Sequence, residues 1–196
     1  MNLLIELKRK IKTNKTVFHS LIILFATILI LLIPLIAMQF TNEVNWNLFD
    51  FVAAFVLLMW TGLTFVIVTR KRVNFVYKFA VGSALGTAFL MVWTNLAVGI
   101  IGNENNPANL MYFGVLGVGI IGSVIERLRA HRMTIVLFVT ALANAVAAII
   151  AIIAEWGSPY NGTLEILMVN AFFITLWTIS ALLFRAAFLY KRQHSF

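Results

Sequence analysis

Val17 to Phe40 contains no Lys, Arg, Asp or Glu, and stretches of similar apolar character run from Leu48 to Thr69, Tyr77 to Ile101, Leu110 to Ile125, Met133 to Ala154 and Leu164 to Tyr190. A helix rises about 1.5 Å per residue, so about 20 apolar residues cross a hydrocarbon layer about 30 Å thick. The composition agrees. Of the 196 residues 62% are hydrophobic and 11% charged, against about 25% charged in a soluble domain. That much apolar surface cannot be hidden inside one soluble core of this size, so lipid is the solvent for much of the chain. The sequence predicts an all-α, polytopic integral membrane protein with six transmembrane helices.

The charges give the chain a direction. Lys8, Arg9, Lys10, Lys12 and Lys15 precede the first stretch, and Arg70, Lys71, Arg72 and Lys78 surround the junction of the second and third. Arg127, Arg129 and Arg132 separate the fourth and fifth, and Arg185, Lys191 and Arg192 close the sixth. These are all 15 Lys and Arg residues, and a six-span threading puts every one of them on the same side. Basic loops stay in the cytoplasm, so both termini are expected there, in a bacterial cytoplasmic (inner) membrane. The net charge of +8 then reports topology and not nucleic-acid binding.

Residues 1–16 read as a basic amphipathic N-terminal segment, with Leu4, Leu7 and Ile11 on one face. Such a segment either lies on an anionic leaflet or acts as a basic tail that sets topology. The first apolar run is longer than the ~7–15 residues of a signal-peptide core, and no small-x-small cleavage site follows it, so it is read as an uncleaved helix. Residues 17–190 are the six-helix domain and residues 191–196 a cytoplasmic tail. Pro34 is expected to kink the first helix. Cysteine is absent, which excludes disulfides and thiolate metal sites.

Between the third and fourth stretches lies a polar island, Asn103-Glu104-Asn105-Asn106-Pro107-Ala108-Asn109, on the non-cytoplasmic side of this threading. Leu96 to Gly102 (LAVGIIG) is echoed by Leu116 to Gly122 (LGVGIIG). Both copies are read as helical, with Gly99, Gly102, Gly119 and Gly122 letting neighbouring backbones approach, as the GxxxG pair Gly82 and Gly86 does in the third helix. Trp46 and Trp156 fall at interfacial depth. Trp60, Trp93 and Trp177 lie deeper, where an indole N–H needs a partner; they fill a bundle core or wall a ligand pocket.

Polar groups within hydrocarbon are costly and are therefore the candidates for chemistry. Asp50, near the outer end of the second helix, reads as a cation or proton site, or as a first-turn carboxylate favoured by the helix dipole. Arg185 is close enough to the terminal charges to snorkel. Asn95, Asn144 and Asn170, with Thr61, Thr64, Ser83, Thr87 and Thr94, would line a pocket in the outer half of the bundle if their faces turn inward. Asn103, Glu104 and Asn109 would cap it. Neutral oxygens with one or two carboxylates suit a hydrated cation or a small polar solute. Interhelical hydrogen bonding, at about 0.6 kcal/mol per bond, is the competing account. HExxH, P-loop and GxSxG patterns do not occur in a usable context, and His19, His131 and His194 lack metal-ligand spacing. No catalytic residue, metal or cofactor is expected. Asn161-Gly162-Thr163 fits a glycosylation sequon, a pattern of low specificity.

Three function classes fit these features. The first is a transporter or channel-like protein that binds a cation or small polar solute from the non-cytoplasmic side. The second is an accessory or assembly subunit of a larger membrane complex, which the small-residue faces favour. The third is a membrane-embedded enzyme acting on a lipid or isoprenoid. It would need Asp50, Glu104 or Glu155 as acid–base groups, and nothing in the sequence positions them, so an enzyme is disfavoured. The expected partners are the bilayer, anionic lipids at the cytoplasmic face, and further copies of the chain or a larger membrane complex. Nucleic acid is not expected.

Overall fold

The computed structural model describes residues 2–41, 44–70 and 74–193, with side chains from residue 17 onward. The described residues contain six helices long and apolar enough to cross a bilayer. The chain is an all-α, multi-pass integral membrane protein. The expected apolar face of residues 1–16 and the end of the tail, residues 194–196, lie outside the described residues.

The chain divides into two units, Met1–Arg70 and Lys71–Phe196. The first is a helical hairpin of α1 (Asn2–Phe40) and α2 (Leu48–Thr69). Helix α1 is assigned continuously through Pro34. The two helices approach closely at Gly62, where an added Cβ would lie 2.6 Å from Ile23 Cγ2. Thr27 and Ala54 are buried, whereas Phe25, Ile33, Val56, Trp60 and Ile67 are exposed. A hairpin with so little interior suits lipid, which solvates apolar side chains as well as a protein core does.

The second unit contains α3 (Phe75–Ala97), a 3-10 turn (Pro107–Asn109), α4 (Leu110–Ile125), α5 (Ala130–Ile153) and α6 (Thr163–Gln193). Helix α6 packs on both α3 and α5, and α5 packs on both α4 and α6, with α5 against α6 the most extensive pair. Small and large side chains alternate across that seam. Ala141, Ala147, Ala148 and Ala151 of α5 are buried, and so are Phe173, Trp177 and Phe184 of α6. The alanines let the α5 backbone come close, and the aromatic rings fill the space this leaves. Tyr77 of α3 joins the seam, its ring edge-on to Phe184 at 5.4 Å.

Two of the connections are Schellman turns without glycine. After α4, Leu128 N–H donates to Ser123 O and Arg127 N–H to Val124 O; after α5, Trp156 N–H donates to Ala151 O and Glu155 N–H to Ile152 O. Arg127 and Glu155 therefore adopt positive φ, 50° and 53°, where glycine is the usual occupant. The Tyr77 hydroxyl donates to Leu128 O at 2.8 Å and ties the first of these turns to α3.

The structure corrects the sequence reading at the end of the third span. The helix stops at Ala97 and not at Ile101. Val98 N–H and Gly99 N–H both close on Thr94 O, and Gly99 and Gly102 take positive φ of 75° and 70°. Neither serves helix packing. A Cβ on Gly99 would collide with the Asn103 backbone, and one on Gly102 would lie 2.6 Å from Asn106 Nδ2, so both glycines permit a tight loop. Of the two echoed heptapeptides, only Leu116–Gly122 is wholly helical. Gly86 is corrected as well, because open space surrounds its missing Cβ. Gly119 and Gly122 do pack helices: added Cβ atoms would lie 3.2 Å from Thr140 Oγ1 and 2.7 Å from Val136 Cγ1.

Candidate functional site

Asn109 organises the polar island. Its Oδ1 accepts the N–H groups of Ile100 and Ile101, each at 2.9 Å. Its Nδ2 donates to Ile101 O at 3.1 Å and Asn103 O at 2.7 Å. One amide thus replaces the helix ladder that the loop lacks, and Ile100 and Ile101 can be buried as a plug. Asn95, near the end of α3, donates to Asn109 O at 2.9 Å. The exposed tip is held locally: Asn103 Oδ1 accepts Asn105 N–H, and Asn105 Nδ2 donates to Glu104 Oε1, both at 3.1 Å. Asn106 caps the 3-10 turn through Ala108 N–H at 2.9 Å.

The same island is sewn to the α5–α6 connection. Asn106 Nδ2 donates to Trp156 O at 2.8 Å, and Gly102 N–H donates to Asn161 Oδ1. Gly157 allows this closeness, since a Cβ there would lie 2.7 Å from Asn161 O. Asn161, expected only as part of a sequon, is a crosslink between loops. Nothing in the sequence marked that role.

Beneath these loops lies a buried cluster of three side chains. The Tyr112 hydroxyl of α4 and Asn144 Nδ2 of α5 both donate to Asn170 Oδ1 of α6, each at 2.9 Å. Asn170 Nδ2 donates to Ile166 O in its own helix at 2.8 Å. Tyr112, Asn144 and Asn170 are each fully buried. Among the described residues two buried side-chain polar atoms have no partner, Asn144 Oδ1 and Trp177 Nε1. Trp177 sits two helical turns below Asn170 on the same buried face of α6. Further down, Ser83 of α3 and Ser180 of α6 share a hydrogen bond of 2.7 Å, and Thr87 Oγ1 donates back to Ser83 O at 2.9 Å. Polar contacts therefore link α3, α4, α5 and α6 through the interior of the unit.

The expected site residues thus separate. Asn144 and Asn170 converge, and with Tyr112 they form one cluster. Asn95 and Asn109 are buried but are engaged in holding the loop, as is Asn103, while Glu104 is exposed at the tip. Asp50 belongs to the first unit, as do Thr61 and Thr64. The Asp50 carboxylate accepts Asn47 N–H at 2.8 Å, while Asn47 Oδ1 accepts Phe49 N–H at 2.7 Å and Asp50 N–H at 3.2 Å. This is a reciprocal capping box, readable in the sequence as Asn47-x-x-Asp50. Tyr112 was missed as a cluster member because a tyrosine in the first turn of a span looks like an interfacial anchor. Trp60, expected to fill a bundle core or wall a pocket, is exposed, whereas Trp177 is buried, and the ring of Trp93 stacks on Phe89 with centroids 6.2 Å apart. Arg185 is exposed.

The three-residue cluster is made of neutral groups. Amides accept and donate hydrogen bonds but do not shuttle protons, and the Tyr112 hydroxyl is engaged with Asn170 Oδ1 and with no titratable partner, so the arrangement suits binding better than acid–base chemistry. Among the described residues no three His, Asp or Glu side chains gather where they could share a metal ion. Comparison with protein-family models, curated proteins and solved structures finds no match.

Proposed function

We propose that the protein is a transporter-like membrane protein whose second unit binds a small polar solute at Asn144 and Asn170. The observation that carries this reading is the fully buried Asn144 Oδ1, which has no hydrogen-bond partner. A buried acceptor left unpaired costs about 1–3 kcal/mol, and in an apolar interior that cost is recovered when a donor arrives. The solute supplies that donor. A neutral molecule fits better than a cation, because among the described residues no carboxylate bonds to Tyr112, Asn144 or Asn170, and Asn170 Oδ1 already accepts two bonds.

In this reading the termini lie in the cytoplasm of a bacterial cell, and the solute arrives from the opposite side of the cytoplasmic (inner) membrane. The support is that a six-span threading of the sequence puts all 15 Lys and Arg residues on one side. Entry then passes the interlocked loops, which part when Asn161 releases Gly102 and Asn106 releases Trp156.

Thermal unfolding in mild detergent, recorded with a panel of uncharged polyols, sugars and amides and with monovalent and divalent cations, tests the idea. A solute held at 100 times its dissociation constant stabilises the fold by about 2.7 kcal/mol. The expected result is that a neutral solute shifts the transition of the wild type and leaves Asn144→Ala unshifted. A shift of equal size in Asn144→Ala, or no shift with any member of the panel, sinks the proposal.

A further inference from the structure

We propose that the groove between α4 and α5 is a binding site for an anionic phospholipid, with an acyl chain lying along the groove and the headgroup phosphate at Arg132. The groove has a volume of about 590 Å³ and is lined by Gly114, Gly117, Val118 and Ile121 of α4 and by Ile135 and Val139 of α5. It continues into a second hollow of about 460 Å³ that shares Gly114, Val118 and Val139.

The hollow exists because two side chains are missing. Apart from the neighbouring residues and backbone of α4 itself, nothing lies within 4 Å of where a Cβ would stand on Gly114 or Gly117. Its walls face outward, since Ile121, Ile135 and Val139 are all exposed, and both helices are membrane spans. An occupant must therefore be apolar and slender. From Gly114 to Ile125 the helix rises about 16 Å, about half of a hydrocarbon layer of ~30 Å. That is the depth of one leaflet, and so the reach of one acyl chain.

The far end of the groove selects the headgroup. Glu126 and Arg132 line it. Their contact is Arg132 Nε to Glu126 Oε2 at 3.8 Å, with both side chains partly exposed. A pair so long and so wet is weak, and it is made through Nε, whereas a phosphate is matched bidentately by the guanidinium fork. Arg127 and Arg129 stand exposed on the same turn, so the mouth is cationic despite Glu126. An anionic lipid gains from that mouth what a zwitterionic one does not. A second transmembrane helix could fill a glycine-lined groove, but it gains nothing from the arginines.

The test uses the full-length protein in mild detergent, with native mass spectrometry as readout. Phosphatidylglycerol and phosphatidylcholine with the same acyl chains are the probes, and glycerol phosphate, which has no chains, is the third arm. The wild type should retain phosphatidylglycerol over phosphatidylcholine by about fivefold, the factor expected of one arginine at an anionic headgroup, and glycerol phosphate should not displace it. Arg132→Gln should lose most of the preference, what is left coming from Arg127 and Arg129, whereas Arg185→Gln, on α6, should keep it. Gly117→Leu, whose Cβ stands in open space and whose longer side chain occupies the groove, should release both lipids. Equal retention of the two lipids by the wild type overturns the proposal. So does an equal loss in Arg185→Gln and Arg132→Gln, which would make the attraction generic, or displacement by glycerol phosphate alone. A Gly117→Leu protein that keeps its lipid but changes its oligomeric mass would show that the groove holds a helix.

Discussion

Asn170 is the side chain through which α4 and α5 are hydrogen-bonded to α6. Its Oδ1 accepts from Tyr112 and Asn144, and its Nδ2 donates to Ile166 O, so its removal strands two buried donors at once. Asn170→Ala should cost about 2–6 kcal/mol, because each of the two orphaned buried donors carries a penalty of ~1–3 kcal/mol. Tyr112→Phe removes a donor together with its bond and leaves Asn170 Oδ1 still paired with Asn144, so it should cost only about 0.6–1.5 kcal/mol. Unfolding titrations in a mixed detergent system give both numbers, and equal losses would contradict the shared acceptor. The amides themselves were visible in the sequence, since Asn95, Asn144 and Asn170 stand out in apolar helices and all three are buried. Their partners were not. Helical spacing fixes the face on which a residue lies, but not the height at which a neighbouring helix meets it. Asn144 and Asn170 therefore read as candidates for one cluster with Asn95, when Asn95 belongs to the loop above.

At the scale of elements, the clearest limit of the sequence is the pair LAVGIIG and LGVGIIG. Their composition is nearly identical, yet Leu116–Gly122 stays helical while Gly99 and Gly102 turn left-handed. The difference lies in the residues C-terminal to each copy. After Gly102 comes Asn103-Glu104-Asn105-Asn106-Pro107, which offers side-chain hydrogen bonds to a non-helical backbone and then forbids a helical one. After Gly122 the helix has one further turn in which to close. The spans from Leu48 to Thr69 and from Leu110 to Ile125 were legible to the residue, because a strong cap or a proline-led turn begins each. The Schellman turns at Arg127 and Glu155 were not, because their usual signal is a glycine and neither has one. The glycines also separate into two behaviours that a simple substitution exposes. Gly86→Ala places a methyl in open space and should stabilise the protein by about 0.5–1 kcal/mol through the unfolded chain and the helix. Gly122→Ala brings a methyl to 2.7 Å from the branched Val136, so the same change there should give no such gain and should lower the thermal midpoint. Midpoints measured side by side decide it, and two variants moving in the same direction would refute the close α4–α5 approach.

For the whole molecule, the question left to experiment is direction. A six-span threading of the sequence divides the chain into alternating ends. In that threading one set of ends carries all 15 Lys and Arg residues. The other set carries Glu43, Asp50, Glu104, Glu155 and Glu165 and no basic residue. Such a polarity suits a membrane whose potential is negative inside, where moving one charge across is worth about 2.3 kcal/mol per 100 mV, and it supports the proposed orientation with both termini in the cytoplasm. The chain contains no cysteine, so single cysteines can be read without any background substitution. Asn105 is exposed at the tip of the α3–α4 loop and Gln193 is exposed at the end of α6. In intact spheroplasts a membrane-impermeant maleimide should label Asn105→Cys and spare Gln193→Cys, and permeabilisation should make the two equal. The reverse pattern would invert the molecule. It would put the amide-stitched loops inside, reverse the proposed side of solute entry, and place the mouth of the lipid groove at the outer leaflet. Labelling of both positions before permeabilisation would instead require an even number of crossings between them. That outcome would mean that one of α4, α5 and α6 does not cross the bilayer, although each is long and apolar enough to do so.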